Sequence, residues 1–336
     1  MAESTHRQRL QTVLAGEQPD RVPVALWRHF PVDDQQPESL AESILAFQRE
    51  YDFDFVKVTP ASSFCLVDWG AQDVWEGNPE GTRRYIHRVI AQPRDWEKLK
   101  DLDPSVGNLG AQLHCLRMLR QKLSPETPIV QTIFNPLAQA KNLAGNAILL
   151  EHLRRWPDAI RAGLAAITRS TVRFTQACME IGVDGIFLAS QHASFPLMSP
   201  AEYDQWGKPG DREILHAAEP GWLNILHLHG DAVMFDLAGE YPVAVVNWHD
   251  RESGPSLAEG NRRSGKTVCG GWRQWQTIAY GDPEKVRSEA QDAVLQMEGR
   301  NLILGTGCVT PVIAPRVCLQ AAAQAADLCM RGAGSA

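Results

Sequence analysis

The sequence predicts an α/β fold: one (β/α)8 barrel of the TIM type, spanning residues 1–336 as a single domain. Eight short apolar runs are spaced along the chain, segments of helical period lie between most of them, and polar residues gather just after the runs. Alternating strands and helices imply a parallel sheet with right-handed crossovers. Eight such units close a barrel, and its C-terminal rim carries the chemistry.

The strand candidates are 22–27, 53–58, 128–134, 185–189, 223–228, 243–248, 267–270 and 302–304. Helical period predicts helices at 39–51, 110–123, 157–181, 200–218, 283–299 and 314–330. Ser199 before Pro200, with Glu202 three residues on, reads as a capping box, and Asp282 before Pro283 is a second start signal. Two segments exceed a plain barrel. Residues 4–14 read as a helix within an N-terminal extension (1–20), and 65–99 as a hairpin inserted after the second strand, with turn residues at Gly77-Asn78-Pro79-Glu80-Gly81. An open dinucleotide-binding sheet would need Gly-x-Gly-x-x-Gly after the first strand, where Arg28-His29-Phe30 stands instead.

Composition narrows the function classes. With 44% hydrophobic and 22% charged residues, the chain can bury a large core. A net charge of -7 supplies no basic field, so nucleic acid and anionic membranes are not expected partners. Seven scattered cysteines without a C-x-x-C pair read as reduced thiols, and no apolar stretch approaches a membrane span, so a cytoplasmic protein is expected. Cys269, Cys318 and Cys329 fall in strand or helix patterns and read as buried bystanders.

The rim positions collect the candidate site. Alternation along a strand puts His227 and His229 on one face, and Cys308 arrives from the end of the last run; two imidazoles and a thiolate suit zinc with one position open. His249 and Asp250 are the acid–base candidates. Arg28, His29, Lys57, Asn135, Gln191, His192, Asn247 and Trp248 are expected to bind substrate. Trp27, Trp69, Trp75, Trp248, Trp272 and Trp275 mostly follow strands and are expected to wall a ligand or to plug the barrel.

Motifs along nearly the whole chain carry a family resemblance. They are Arg7-x-Arg9-Leu10, Leu14-x-Gly16-Glu17-x-Pro19-Asp20-Arg21-Val22-Pro23-Val24, Tyr51-Asp-Phe-Asp54-Phe-Val-Lys57, Gly182-Val-Asp184-Gly185-Ile186, Ser199-Pro200-x-x-Tyr203, His227-x-His229-Gly230 and Gly305-Thr-Gly307-Cys308. In these the chain resembles the uroporphyrinogen decarboxylase superfamily, whose members include the decarboxylase and zinc-dependent cobamide methyltransferases. The resemblance implies a barrel with an N-terminal helical extension. For the methyltransferase branch it implies zinc held by His-x-Cys and a distant Cys, a corrinoid carried on a partner protein, and often a homodimer. Here His229 stands where that branch has its first cysteine, so the activated acceptor is a thiol, a water or an oxygen nucleophile. The decarboxylase branch carries a Gly-Arg after the first strand and an aspartate near the second; this chain reads Trp27-Arg28-His29-Phe30-Pro31, with only Asp54 or Asp68 nearby. The expected function is zinc-dependent methyl transfer, with metal-free tetrapyrrole decarboxylation or ligand binding without turnover as alternatives.

Overall fold

The computed structural model describes residues 4–332. Its centre is a curled, all-parallel sheet of seven strands: β1 (Val56–Val58), β4 (Ile129–Phe134), β5 (Gly185–Ser190), β6 (Ile225–Leu228), β7 (Val245–Trp248), β8 (Thr267–Trp272) and β9 (Leu302–Thr306), in that spatial order. The remaining two strands, β2 (Gln72–Val74) and β3 (Arg84–His87), form a separate antiparallel hairpin inside the expected 65–99 insertion.

The first apolar run closes the ring without becoming a full strand. Val24 bridges Leu304 in parallel, Ala25 N donates to Leu304 O, and on the other side Asp54 N donates to Val24 O. Pro23 has no N–H to give, which thins this ladder. The chain thus forms a barrel with seven strands and one extended stave.

Strand alternation sorts the apolar residues into two cores. Ala25, Trp27, Phe55, Val130, Phe187, Ala189, Ile225, Val245, Cys269 and Ile303 fill the lumen, joined by Leu10 of α1 (His6–Leu14), which plugs the N-terminal end. Their neighbours, such as Leu26, Val56, Leu188, Leu226, Val246, Val268 and Leu302, belong to the core between the barrel and its helices. This period of two decides which rim residues can face a ligand.

Around the sheet lie α2 (Pro37–Tyr51), α3 (Gly107–Lys122), α4 (Pro136–Ala144), α5 (Asn146–Arg155), α6 (Pro157–Ile181), α7 (Pro200–Trp206), α8 (Lys208–Ala217), α9 (Leu237–Glu240), α10 (Leu257–Ser264), α11 (Pro283–Met297) and α12 (Arg316–Gly332). The Ser199–Glu202 capping box opens α7, a cap of the kind that contributes about 1 kcal/mol. The helix expected over 200–218 breaks at Gly207, where a Cβ would lie 2.6 Å from the Tyr203 ring. Helices α4, α5, α9 and α10 fall outside the segments of clearest helical period. Cys269 and Cys318 are buried, as expected; the side chain of Cys329 lies outside the described residues.

Candidate metal centre

At the C-terminal mouth of the barrel, His227, His229 and Cys308 offer one ligand atom each, all within 4.8 Å of one another. His227 continues the lumen face of Ile225 at the end of β6, and His229 follows two residues later on the same side. Cys308 arrives from the turn after β9. There Thr306 Oγ1 donates to Cys308 O at 2.6 Å, and Gly307 passes so close to β7 that a Cβ would lie 2.7 Å from His249 Cα. Cys308 Sγ is 3.8 Å from His229 Nδ1. Zn–N and Zn–S bonds of about 2.0–2.3 Å at a tetrahedral angle put neighbouring ligands about 3.3–3.8 Å apart, so this pair fits.

The imidazoles are prepared as neutral ligands. Burial holds His227 well below its ordinary value, and the adjacent His229 and His249 push the same way. Burial lowers His229 as well. His227 Nδ1 lies 2.7 Å from Asn247 Oδ1, while Asn247 Nδ2 donates to Cys269 O and Thr306 O. With both amide hydrogens engaged, Oδ1 must accept, so His227 carries its proton on Nδ1 and offers Nε2 as a lone pair. Register explains the contact, because His227 pairs with Asn247 across β6 and β7.

A cavity of about 290 Å3 opens over the triad. Of the residues expected to bind substrate, His29, Lys57 and Gln191 line it, together with Trp27. Others point elsewhere, and alternation is the usual reason. Arg28 lies between the inward Trp27 and His29, so its guanidinium turns outward over the Phe30 ring. Trp248 is fully buried in the outer core, edge-on to Phe235, with Nε1 donating to Pro255 O. Asn247 faces His227 and not the cavity. Asn135 caps α4 and donates to Asp211 inside a buried knot with Tyr203, and His192 Nε2 pairs with Asn146 Oδ1.

The two acid–base candidates separate. The His249 ring centroid lies 5.5 Å from that of His229 and 6.4 Å from that of His227, beside the triad. Asp250 turns to the other side of the strand end, where Gly271 N donates to it; burial pushes its carboxyl up to about 7. Among the tryptophans, Trp272 is buried with Nε1 on Val286 O, Trp69 and Trp75 donate to loop carbonyls, and Trp275 stacks on Tyr280, leaving Trp27 at the cavity.

Several cavity residues were not legible as site residues. Lys141 comes from α4, and Glu80, Arg83 and Tyr85 from the inserted hairpin, which lies across the mouth. Glu80 accepts from Gln274 Nε2 at 3.0 Å, and Pro79 O accepts from Val312 N. The Asn135-Pro136 start signal is the sequence feature that points to α4 and hence to Lys141.

Fold and site together define a parallel-barrel enzyme with a His2Cys candidate metal centre at its C-terminal mouth. A family model described as uroporphyrinogen decarboxylase (URO-D) matches residues 5–328, and the chain belongs to that family. It is 25% identical to the methylcobamide:CoM methyltransferase MtaA of Methanosarcina barkeri, over 97% of this chain and 99% of the relative. It is 24% identical to the methylcobamide:CoM methyltransferase MtbA of Methanosarcina acetivorans, over 92% and 94%. Among solved structures, a methyltransferase from Methanosarcina mazei superposes with a TM-score of 0.85 at 21% identity, covering 97% of this chain and 99% of that one. Within the family the chain groups with the cobamide methyltransferases, as an enzyme of the methyltransferase type. Among the described residues no helix is long and apolar enough to cross a membrane.

Proposed function

We propose that this chain is a zinc-dependent methyltransferase that moves a methyl group between a corrinoid, carried by a partner protein, and a small nucleophile held in the cavity. The observation that carries the reading is the convergence of His227, His229 and Cys308, with Asn247 fixing the tautomer of His227. Zinc bound there would act as a Lewis acid that lowers the acceptor's pKa. With one thiolate and two neutral imidazoles, the ligand set leaves more positive charge at the centre than two thiolates would.

The chain's own groups do the rest. Trp27, Phe187 and Phe134 exclude water from one side of the cavity, while Lys57, His29 and Gln191 offer polar contacts to a small molecule. His249, whose ring stands beside that of His229 outside the cavity lining, is the chain's candidate for managing the acceptor's proton. Asp250 acts only through the strand ends that it ties together.

Two observations favour methyl transfer over tetrapyrrole decarboxylation. Asp54 is held by Arg9, Arg21 and His6 at the opposite end of the barrel, and Asp68 caps the start of α3, so neither reaches the cavity. The cavity, at about 290 Å3, is also at the small end of ligand pockets, cramped for a four-ring substrate.

The test is elemental analysis of protein purified without added metal, with a methyl-transfer assay using methylcobalamin as donor. The expected result is about one zinc per chain, transfer abolished by chelation and restored by zinc, and little metal retained by Cys308→Ala. A metal-free protein with transfer indifferent to chelators would overturn the reading.

A further inference from the structure

The polar knot at the ends of β4 and β5 holds a carboxyl group that the chain balances without a cation. Asp211, on α8, is fully buried. Its Oδ2 accepts from Tyr203 Oη at 2.7 Å and from Tyr241 Oη at 2.8 Å, and its Oδ1 accepts from Asn135 Nδ2 at 3.0 Å. Burial pushes this carboxyl up, the three hydrogen bonds hold it down, and no Lys, Arg or His among the described residues pairs with it. Burial also keeps both phenols protonated. All three partners can therefore donate, and the carboxylate is the form that uses all three. A buried carboxylate is costly to keep, and apolar residues often fill such a space at less cost.

The knot fixes two strand ends. Ser190 is the last residue of β5, and Asn135 directly follows β4. Tyr203 gives its one proton to Asp211, so Ser190 Oγ, 2.8 Å away, must donate to Tyr203 Oη. The carbonyl of the same Ser190 accepts from the backbone N of His229 at 2.9 Å. Ser190 also pairs in register with Leu228, the residue between the two imidazoles. A continuous path thus runs from the Asp211 carboxylate through one phenol and one serine to the backbone of a candidate metal ligand. Tyr241 reaches the same carboxylate oxygen, but no hydrogen bond among the described residues joins it to Ser190. Close packing brings the parts together. Gly210 lets α8 press on the start of α4, since a Cβ at that position would lie 2.8 Å from the Pro136 ring, and the Ser199–Glu202 capping box sets the first turn of α7, which carries Tyr203.

We propose that Asp211 and Tyr203 are positioning residues for the candidate metal centre: together they fix Ser190, and Ser190 holds the backbone of His229 so that its imidazole stands beside Cys308. The consequence for metal binding rests on the metal reading; the hold on His229 does not. Directional bonds fix a position in a way that apolar contacts do not, which gives the buried carboxylate a use. The same arrangement accounts for the Ser199-Pro200-x-x-Tyr203 motif, whose tyrosine lines no part of the cavity.

Two phenols on one carboxylate supply the control. Tyr203→Phe and Tyr241→Phe each take one buried hydroxyl from Asp211, but only the first cuts the link to Ser190. Zinc affinity, measured by chelator competition well below each chain's melting temperature, is expected to fall about 10-fold in Tyr203→Phe and to change by less than about 2-fold in Tyr241→Phe. Ser190→Ala, which loses Oγ and keeps the carbonyl, is expected to follow Tyr203→Phe and stands in for it if that chain does not fold. Hydrogen exchange of the His229 amide in metal-free protein is the second readout, expected to quicken more in Tyr203→Phe and Ser190→Ala than in Tyr241→Phe. Unchanged zinc affinity in Tyr203→Phe and Ser190→Ala overturns the role at the metal. Equal losses in the two phenylalanine variants overturn it as well, since they would mark a general loosening of the fold. A wild-type chain that binds no zinc removes the metal reading, and the exchange rates then decide alone: His229 exchange no faster in Tyr203→Phe than in Tyr241→Phe overturns the hold on His229.

Discussion

Asn247 Oδ1 accepts from His227 Nδ1 at 2.7 Å, and this contact ties the metal centre to the barrel wall, because the same amide bonds Cys269 O and Thr306 O on the next two strands. Three staves thus position one imidazole. Asn247→Ala is expected to weaken zinc binding about 10- to 100-fold. The change also leaves two buried carbonyls short of a donor, at about 1–3 kcal/mol. Chelator competition measures the first effect and thermal unfolding the second; unchanged zinc affinity would remove Asn247 from the site.

His229 supplies the second imidazole and lies 3.8 Å from Cys308 Sγ. Substituting His229→Cys is expected to keep one metal per chain while adding a thiolate. Cobalt(II) in place of zinc reads the ligand set directly, since each coordinated thiolate adds sulfur-to-cobalt charge transfer. The wild-type chain should show one thiolate, His229→Cys two, and Cys308→Ala none. A wild-type spectrum without any thiolate band would exclude Cys308 as a ligand.

Gly307 is the residue that lets Cys308 arrive. A Cβ there would lie 2.7 Å from His249 Cα and 2.9 Å from Trp248 O, both backbone atoms where β7 ends, so a flexible side chain cannot absorb the clash. Gly307→Ala is therefore expected to push the turn outward and carry Cys308 off the two imidazoles. Metal affinity should fall by at least about 10-fold, while overpacking of this kind costs about 1–3 kcal/mol. Affinity equal to wild type would show that the turn yields without moving the thiol.

The sequence made the barrel legible because its strands are buried on both sides and read as apolar runs between helical segments. The triad was legible for a related reason: the period of two places His227 and His229 together, and Cys308 ends the last run. The same period, applied to Arg28 and Trp248, would have turned both outward, since their neighbours Trp27, His29 and Asn247 face inward. What one strand's pattern cannot carry is register. That Asn247 meets His227 depends on how β6 pairs with β7. Nor does any local signal show that Glu80 of the hairpin and Lys141 of α4 meet over the same cavity.

Far from the mouth, the N-terminal helix is anchored by a charge cluster whose pH response can be worked out. Asp54, fully buried, accepts from His6, Arg9, Arg21 and Val24 N. Burial alone would raise its carboxyl, but the His6 hydrogen bond and the charges of Arg21 and Arg9 hold it below its ordinary value. His6 in turn is raised by Asp54, against its own burial. A lowered carboxyl contributes stability above its unfolded pKa of about 3.9, lost as pH falls through the folded value. A raised imidazole contributes stability below about 6.5, lost as pH rises through its folded pKa. His6→Gln is expected to remove the near-neutral decline in melting temperature and leave the acid limb. Asp54→Asn removes one of the two carboxylates on Arg9, which is 2% exposed and keeps Asp20, so the cost is expected to stay below the about 3–5 kcal/mol of leaving a buried charge unpaired. Calorimetric melting temperatures across pH for the three chains check both signs, and a His6→Gln profile that still declines like wild type through neutrality would show that His6 is not the group responsible.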